Sequence, residues 1–201
     1  MITIVMDTSN QYLACGIYQD GQLIDSYQKI GTKRQSEDAI PVLYDLTNKH
    51  DIDLLKVDEM IITKGPGSYT GVRVAMTIAK TLAAICPVKI KTVSSLAVYG
   101  YEGKKIAIID ARSKKVFACV YDDNKPLTEE KMYTFAELEE LQKNYPDYTL
   151  VGEVRVLGLD NIEVDLVKAM YELGHKEAPL DNVDLLVPTY IKDVEAKKKC
   201  Y

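Results

Sequence analysis

The stretch "VMDTSNQYLACGIYQDG", Val5–Gly21, reads as two apolar strands around a polar turn, and a version of it returns as "IIDARSKKVFACVYDDN", Ile108–Asn124. Asp110 lies 103 positions after Asp7, and at that offset Leu13 meets Val116, Ile17 meets Val120, Tyr18 meets Tyr121 and Asp20 meets Asp123. Each copy is a strand closed by Asp, a polar turn, and a second strand closed by Tyr. Any two hairpins alternate alike. An offset of half the chain nevertheless favours a duplicated unit.

Outward from the first copy, Ile2–Met6 is a buried strand. Tyr12–Tyr18 and Leu23–Tyr27 follow, joined through Asp20-Gly21, a hairpin signal. A helix to about His50 comes next, with Ser36 as N-cap, Glu37 and Asp38 at its positive end, and Pro41 in its first turn. Ile40, Leu43, Tyr44 and Thr47 share one side of it. Then come a strand over Glu59–Lys64, a loop over Gly65–Ser68, and a long helix to Ile85, with Pro87 blocking its extension. A strand over Lys89–Val93 and a helix over Ser94–Tyr99 complete the order βββαβαβα. Hairpins first and crossover helices later imply a mixed sheet with helices on its faces.

From Lys105 the pattern restarts in thinner form. Phe135–Lys143 reads as a helix, Tyr148–Val151 as a strand, Val164–Leu173 as a helix, and "VPTYIKDVEAKKKC", Val187–Cys200, as a closing segment ending in a charged helix. The boundary falls near Gly100–Gly103. This makes residues 1–102 an N-terminal subdomain and 103–201 a smaller C-terminal one.

The 201 residues carry 47% hydrophobic and 27% charged side chains, an ordinary balance for a folded soluble chain. A net charge of −5 argues against a general nucleic-acid binder, which shows a basic excess. Cys15, Cys86, Cys119 and Cys200 are scattered, with no CxxC pair, and read as free thiols rather than a disulfide framework. No apolar run reaches the ~18 residues of a membrane span. A cytoplasmic protein is the expectation.

Two features of "TKGPGSYTGVRVAMTIAKTLA", Thr63–Ala83, stand out. The first is the loop. Glycines between a strand and a helix suit a phosphate cradle, and Asp7, Gly65, Gly67 and Ser68 are the candidate phosphate-loop residues. Yet the Walker lysine is missing and the glycine spacing fits neither nucleotide fingerprint. A structural turn is the preferred reading. The second feature is the helix. Gly71, Ala75, Ala79 and Ala83 form a ridge of small residues, and polar side chains are confined to Arg73, Thr77, Lys80 and Thr81. A helix apolar nearly all round is buried, either by its own fold or by a partner. Pattern leaves those two readings level.

Catalytic constellations are scarce. His50 and His175 are far apart, and no HxxxH or HExxH pair or G-x-S-x-G elbow occurs. Asp7, Asp110 and Glu153 follow apolar strands, where acids hold Mg²⁺ in some phosphoryl-transfer enzymes but more often cap and turn the chain. An autonomous kinase-like ATPase or a glycoprotease-type hydrolase would rest on Asp7, Asp110 and the Gly65–Ser68 loop. Contact with RNA phosphates would rest on the tail lysines Lys197–Lys199, for which a solvated tail is the preferred reading.

Taken together, "MDTS", "KGPGSYTGVRVAMTIAKTLA", "VSSLA", "IDARSKKVFACVY" and "PTYIK" resemble, in order, the TsaB family, also called YeaZ. The resemblance implies an α/β, actin-like ATPase (ribonuclease H-like) fold: a duplicated βββαβαβα unit, here with a reduced second half because the chain is short for the family. It implies a non-catalytic subunit, with no cofactor of its own, for making threonylcarbamoyladenosine in tRNAs that read codons beginning with A. ATP and metal are then expected on the partners, TsaD and TsaE. The implied TsaD heterodimer, or homodimer when TsaD is absent, uses the helices near Glu37–Asn48 and Tyr69–Ile85. The interface residues carried over are Glu37, Ile40, Leu43, Tyr44, Tyr69, Val72, Arg73, Met76, Thr77 and Lys80. tRNA is reached through the complex, and no membrane is involved. Gln35 stands where many TsaB-like chains carry histidine.

Overall fold

The computed structural model describes residues 1–31 and 35–191. The first half is a five-stranded sheet of order β3-β2-β1-β4-β5, built from β1 (Ile2–Asp7), β2 (Tyr12–Gln19), β3 (Gln22–Ile30), β4 (Glu59–Thr63) and β5 (Lys89–Val93). β1 pairs antiparallel with β2 and parallel with β4. The β2–β3 turn holds Asp20 at φ 51° and Gly21 at φ 85°, the two left-handed residues a tight hairpin needs. Helices α1 (Gln35–Lys49) and α2 (Tyr69–Ile85) cover one face.

The second half repeats the start of this plan. β6 (Lys104–Arg112) pairs antiparallel with β7 (Lys115–Asp122) and parallel with β10 (Thr149–Gly152), as β1 does with β2 and β4. The third strand is broken into β8 (Lys125–Pro126) and β9 (Lys131–Thr134), both paired with β7. Helix α4 (Phe135–Asn144) then takes the place of α1. After β10 the chain makes a 3₁₀ turn at Val154–Leu157 and goes directly to α5 (Leu166–Gly174). The reduction is thus specific: among the described residues the second half shows no counterparts of α2 and β5. With the duplicated sheets in place, the architecture is the α/β actin-like, ribonuclease H-like fold.

The halves exchange helices. α3 (Ser95–Tyr99), from the first half, packs on β6 and β7, while α5, from the second, packs across β1–β5. A central core fills the space between the sheets, with Val5 and Ile61 from one and Ala107, Ile109 and Tyr121 from the other. A second core lies under α1 and α2, where Ile4 and Met6 point, and a third under α4. β1 therefore reads as an unbroken apolar run because both of its faces are covered.

Two details of α1 differ from the sequence reading. The helix starts at Gln35, so Ser36 lies inside it rather than capping it, and Pro41 sits in the second turn rather than the first. Proline there deletes one backbone hydrogen bond. α1 keeps its course because Ala39, Leu43 and Leu46 are buried against the sheet and α2. The expected closing helix lies beyond Ile191, outside the described residues. Cys15 and Cys119 are buried free thiols and Cys86 is half-buried. No helix among the described residues is long and apolar enough to cross a membrane.

Candidate functional site

Two surfaces are candidates: the cleft between the sheets and the outer side of α1 and α2. The loop from β4 to α2 borders both. Gly67 approaches so closely that an added Cβ would lie 2.2 Å from the Ser9 carbonyl oxygen, and Ser68 N donates to that same oxygen at 2.7 Å. The Ser68 side chain caps α2, accepting from Gly71 N at 3.2 Å. Thr8 enters the first turn of α2. Its hydroxyl donates to the Gly71 carbonyl at 2.6 Å and accepts from Ala75 N at 3.2 Å. The small-residue ridge is explained here: Gly71, Ala75 and Ala79 are buried against the chain's own strands and turn, not against another molecule.

Asp7 does not face the cleft. Its carboxylate is fully buried and accepts from Ser9 N at 2.7 Å, from Thr63 Oγ1 at 2.6 Å and from Asn10 Nδ2. Burial pushes its pKa up, and those donors pull it back. Of the four candidate phosphate-loop residues, Gly67 and Ser68 line the cleft, whereas Asp7 and Gly65 lie behind it. Among the described residues no group of three or more His, Cys, Asp or Glu is placed to hold a metal ion.

Glu153 clasps the two halves. Its Oε1 accepts from Gln11 N in the first half at 2.7 Å, and its Oε2 accepts from Asp110 N in the second at 2.6 Å. Burial raises its pKa above the ordinary carboxylate value, and the two backbone donors act in the opposite sense. The folded chain therefore holds this proton more tightly than the unfolded one. The resulting stability is present below the ordinary value and is lost as pH rises through the raised one. Glu153→Ala leaves two partly buried N–H groups without their acceptor. The variant is expected to lose about 2 kcal/mol, with a larger deficit in mild acid than at neutral pH, as read by denaturant unfolding at both.

The ten interface candidates separate into distinct surroundings. Leu43, Val72 and Met76 are buried in the chain's own core, at 3%, 3% and 4% exposure. Tyr69 and Arg73 line the cleft. The Arg73 guanidinium lies 3.6 Å above the Tyr69 ring and 5.4 Å from that of Tyr190. Lys80 Nζ donates to the Asp184 carbonyl at 2.9 Å, under the returning C-terminal segment. Ile40 and Tyr44 are each 60% exposed, and Glu37 and Thr77 are exposed as well.

That returning segment explains why α2 has so little polar surface. Leu180 N donates to the Ile90 carbonyl at the sheet edge, Leu186 is buried beside α2, and Thr189 N donates to the Lys64 carbonyl. With the sheet beneath, α1 on one flank and this segment on the other, the middle of α2 keeps only a narrow strip through Thr77 and Thr81 in water, and its two ends are exposed at Tyr69, Thr70, Ala84 and Ile85. Burial by its own fold, rather than by a partner, accounts for most of its apolar face.

The paired sheets and the cleft between them define a protein of the actin-like class. Residues 28–152 match the model of the family described as TsaD, tRNA N6-adenosine threonylcarbamoyltransferase. The chain belongs to this family, as a TsaB-type (YeaZ-like) member. It is similar to the tRNA threonylcarbamoyladenosine biosynthesis protein TsaB of Bacillus subtilis, 33% identical over 135 residues, which cover 65% of this chain and 59% of that protein. TsaB of Escherichia coli is 24% identical over 133 residues, covering 62% and 57%. The chain thus spans somewhat under two thirds of the length of these relatives. Among solved structures, YeaZ from Pseudomonas aeruginosa superposes with a TM-score of 0.70 at 16% identity, covering 94% of this chain and 99% of that one. A second structure, with similarity to peptidase YeaZ and from the same organism, has a TM-score of 0.73 at 18% identity, with 95% and 99% covered.

Proposed function

We propose that this chain is a non-catalytic scaffold subunit in the making of threonylcarbamoyladenosine in tRNA. It docks on a TsaD-type catalytic partner and favours that partner's active arrangement. Family membership supports the pathway. The observation that supports docking is the open side of α1, where Ile40 and Tyr44 stand 60% exposed one turn apart. Exposed large apolar side chains on a paired-helix face are characteristic of protein contacts. In this reading a second copy occupies the face when TsaD is absent, TsaE joins the assembled complex, and tRNA is reached through it, all in the cytoplasm. Residues 1–102 carry the docking helices.

The rival reading, an autonomous kinase-like ATPase, needs an acid presented to the cleft by the first strand. Asp7 is instead turned inward onto Thr63, Ser9 and Asn10.

The experiment is co-expression with TsaD of wild type and of the Ile40→Glu/Tyr44→Glu double variant. Both positions are exposed, so the unfolding midpoint should stay close to wild type. Affinity for TsaD should fall by roughly 30-fold or more, the loss of a contact hot spot. Threonylcarbamoyladenosine in tRNA should fall with it. Wild-type co-elution and modification by the double variant would overturn the docking face.

A further inference from the structure

We propose that the returning C-terminal segment, residues 176–191, is a second part of the docking surface. Leu185, Val187 and Tyr190, with Tyr69 of α2, form an apolar ridge that the TsaD-type partner covers together with α1. The inference rests on the docking reading above and adds contact residues that lie outside α1.

The first observation is exposure. Leu185, Val187 and Tyr69, at 75%, 68% and 67%, are the most exposed large hydrophobic side chains among the described residues, ahead of Ile40 and Tyr44. They are grouped rather than scattered. Leu185 and Val187 stand two apart on one segment, and Tyr190, 53% exposed, stacks on Tyr69 with ring centroids 6.0 Å apart. Single exposed apolar residues are ordinary on a protein surface, whereas a contiguous group marks a contact.

The second observation is that the fold holds this group outward. The backbone is tied on both sides of it. Lys80 Nζ donates to the Asp184 carbonyl at 2.9 Å, and Thr189 N donates to the Lys64 carbonyl at 2.8 Å. Between the two ties, Leu186 is buried beside α2 with its backbone extended at φ −62°, ψ 120°. Pro188 keeps Val187 extended as well. Successive side chains of extended chain point to opposite sides, so seating Leu186 in the core turns Val187 out. Neither Val187 nor Leu185 can fold inward without pulling Leu186 from its place.

The third observation is size. A specific interface engages about 20–30 residues a side. The eight exposed residues of α1 fall short of that. The returning segment runs along the other flank of α2, and the strip through Thr77 and Thr81 lies between. α1, the strip and the segment together reach the size that a stable complex needs, so one partner spans all three.

The test is the affinity of the purified full chain for TsaD, in wild type and in the Leu185→Ser/Val187→Ser double variant. Both side chains are exposed, so the unfolding midpoint should stay close to wild type. Affinity should fall by about tenfold. Leu127→Ser, at an exposed leucine beside β8 in the second half, should leave it within about twofold. Wild-type affinity in the serine pair overturns the proposal. If Ile40→Glu/Tyr44→Glu still weakens binding, the α1 docking face stands without the ridge. Weakening by both pairs upholds one continuous face, and weakening by the serine pair alone upholds the ridge and moves docking off α1. Loss of self-association in the chain alone, with affinity for TsaD unchanged, overturns the proposal and assigns the ridge to a second copy. Should the serine pair lower the midpoint, the wild-type complex decides. Backbone amides over residues 185–190 should exchange about tenfold more slowly with TsaD bound, and unchanged exchange there overturns the proposal.

Discussion

Met76→Glu should unfold the chain rather than merely release a partner. Met76 is 4% exposed and packs in the core beneath α1 and α2, among aliphatic side chains of β1 and β4. A carboxylate placed there has no counter-charge to meet, and ionised or protonated it must give up water without replacement hydrogen bonds. The cost is about 4 kcal/mol or more, against a total stability of roughly 5–15 kcal/mol for a domain. Soluble yield should collapse, or the denaturant midpoint should fall sharply, in the chain alone with no partner present. Val72→Glu should behave in the same way, at 3% exposure. The comparison with Ile40→Glu/Tyr44→Glu carries the weight, since both pairs would abolish co-purification but only the outer pair should do so with the fold intact. A Met76→Glu chain that keeps its midpoint and loses only TsaD would return α2's inner face to the interface.

The contrast shows how far sequence pattern reaches in this fold. β1 to β5 and their helices were legible because each element has its own signature: apolar runs in β1 and β2, Asp20-Gly21 at the hairpin, Pro87 after α2. The restart at Lys105 was legible because Asp110 and Tyr121 stand where Asp7 and Tyr18 stood. The broken third strand of the second half was not, since Lys125–Pro126 and Lys131–Thr134 are short, polar and interrupted by proline. The two readings of α2 stood level because its second flank is covered from far away. Asp184, which accepts from Lys80, lies 104 positions downstream, in a segment with no periodic signal. Acids at strand ends could be found by eye, but which of them faced the cleft depended on neighbours such as Thr63, which turns Asp7 inward.

Gly71→Ala should be strongly destabilising, against the usual sign. At an exposed helix position the same change stabilises by about 1 kcal/mol, because alanine is the better helix former. At Gly71 the new Cβ would lie 2.1 Å from the Thr8 carbonyl oxygen. That oxygen is backbone and has little freedom to retreat. Thr8 is fully buried, and its hydroxyl is held between the Gly71 carbonyl and Ala75 N. The preceding Asp7 is anchored to Thr63, and the following Ser9 accepts from Ser68 N. Relief requires moving the start of α2 away from β1, which breaks the Thr8 bridge and opens the core behind Val72. The expected loss is about 3 kcal/mol, measured as a fall in denaturant midpoint with unchanged slope. Ala84→Gly, on the exposed side of the same helix, calibrates the propensity effect at about 1 kcal/mol in the ordinary direction. A neutral or stabilising Gly71→Ala would mean that α2 is free to pivot at its N-terminus. The consequence reaches both surfaces. Tyr69 and Arg73 on the cleft wall and Thr77 on the open strip are carried by one helix, and the contact of Gly71 with Thr8 sets the angle at which that helix leaves the sheet.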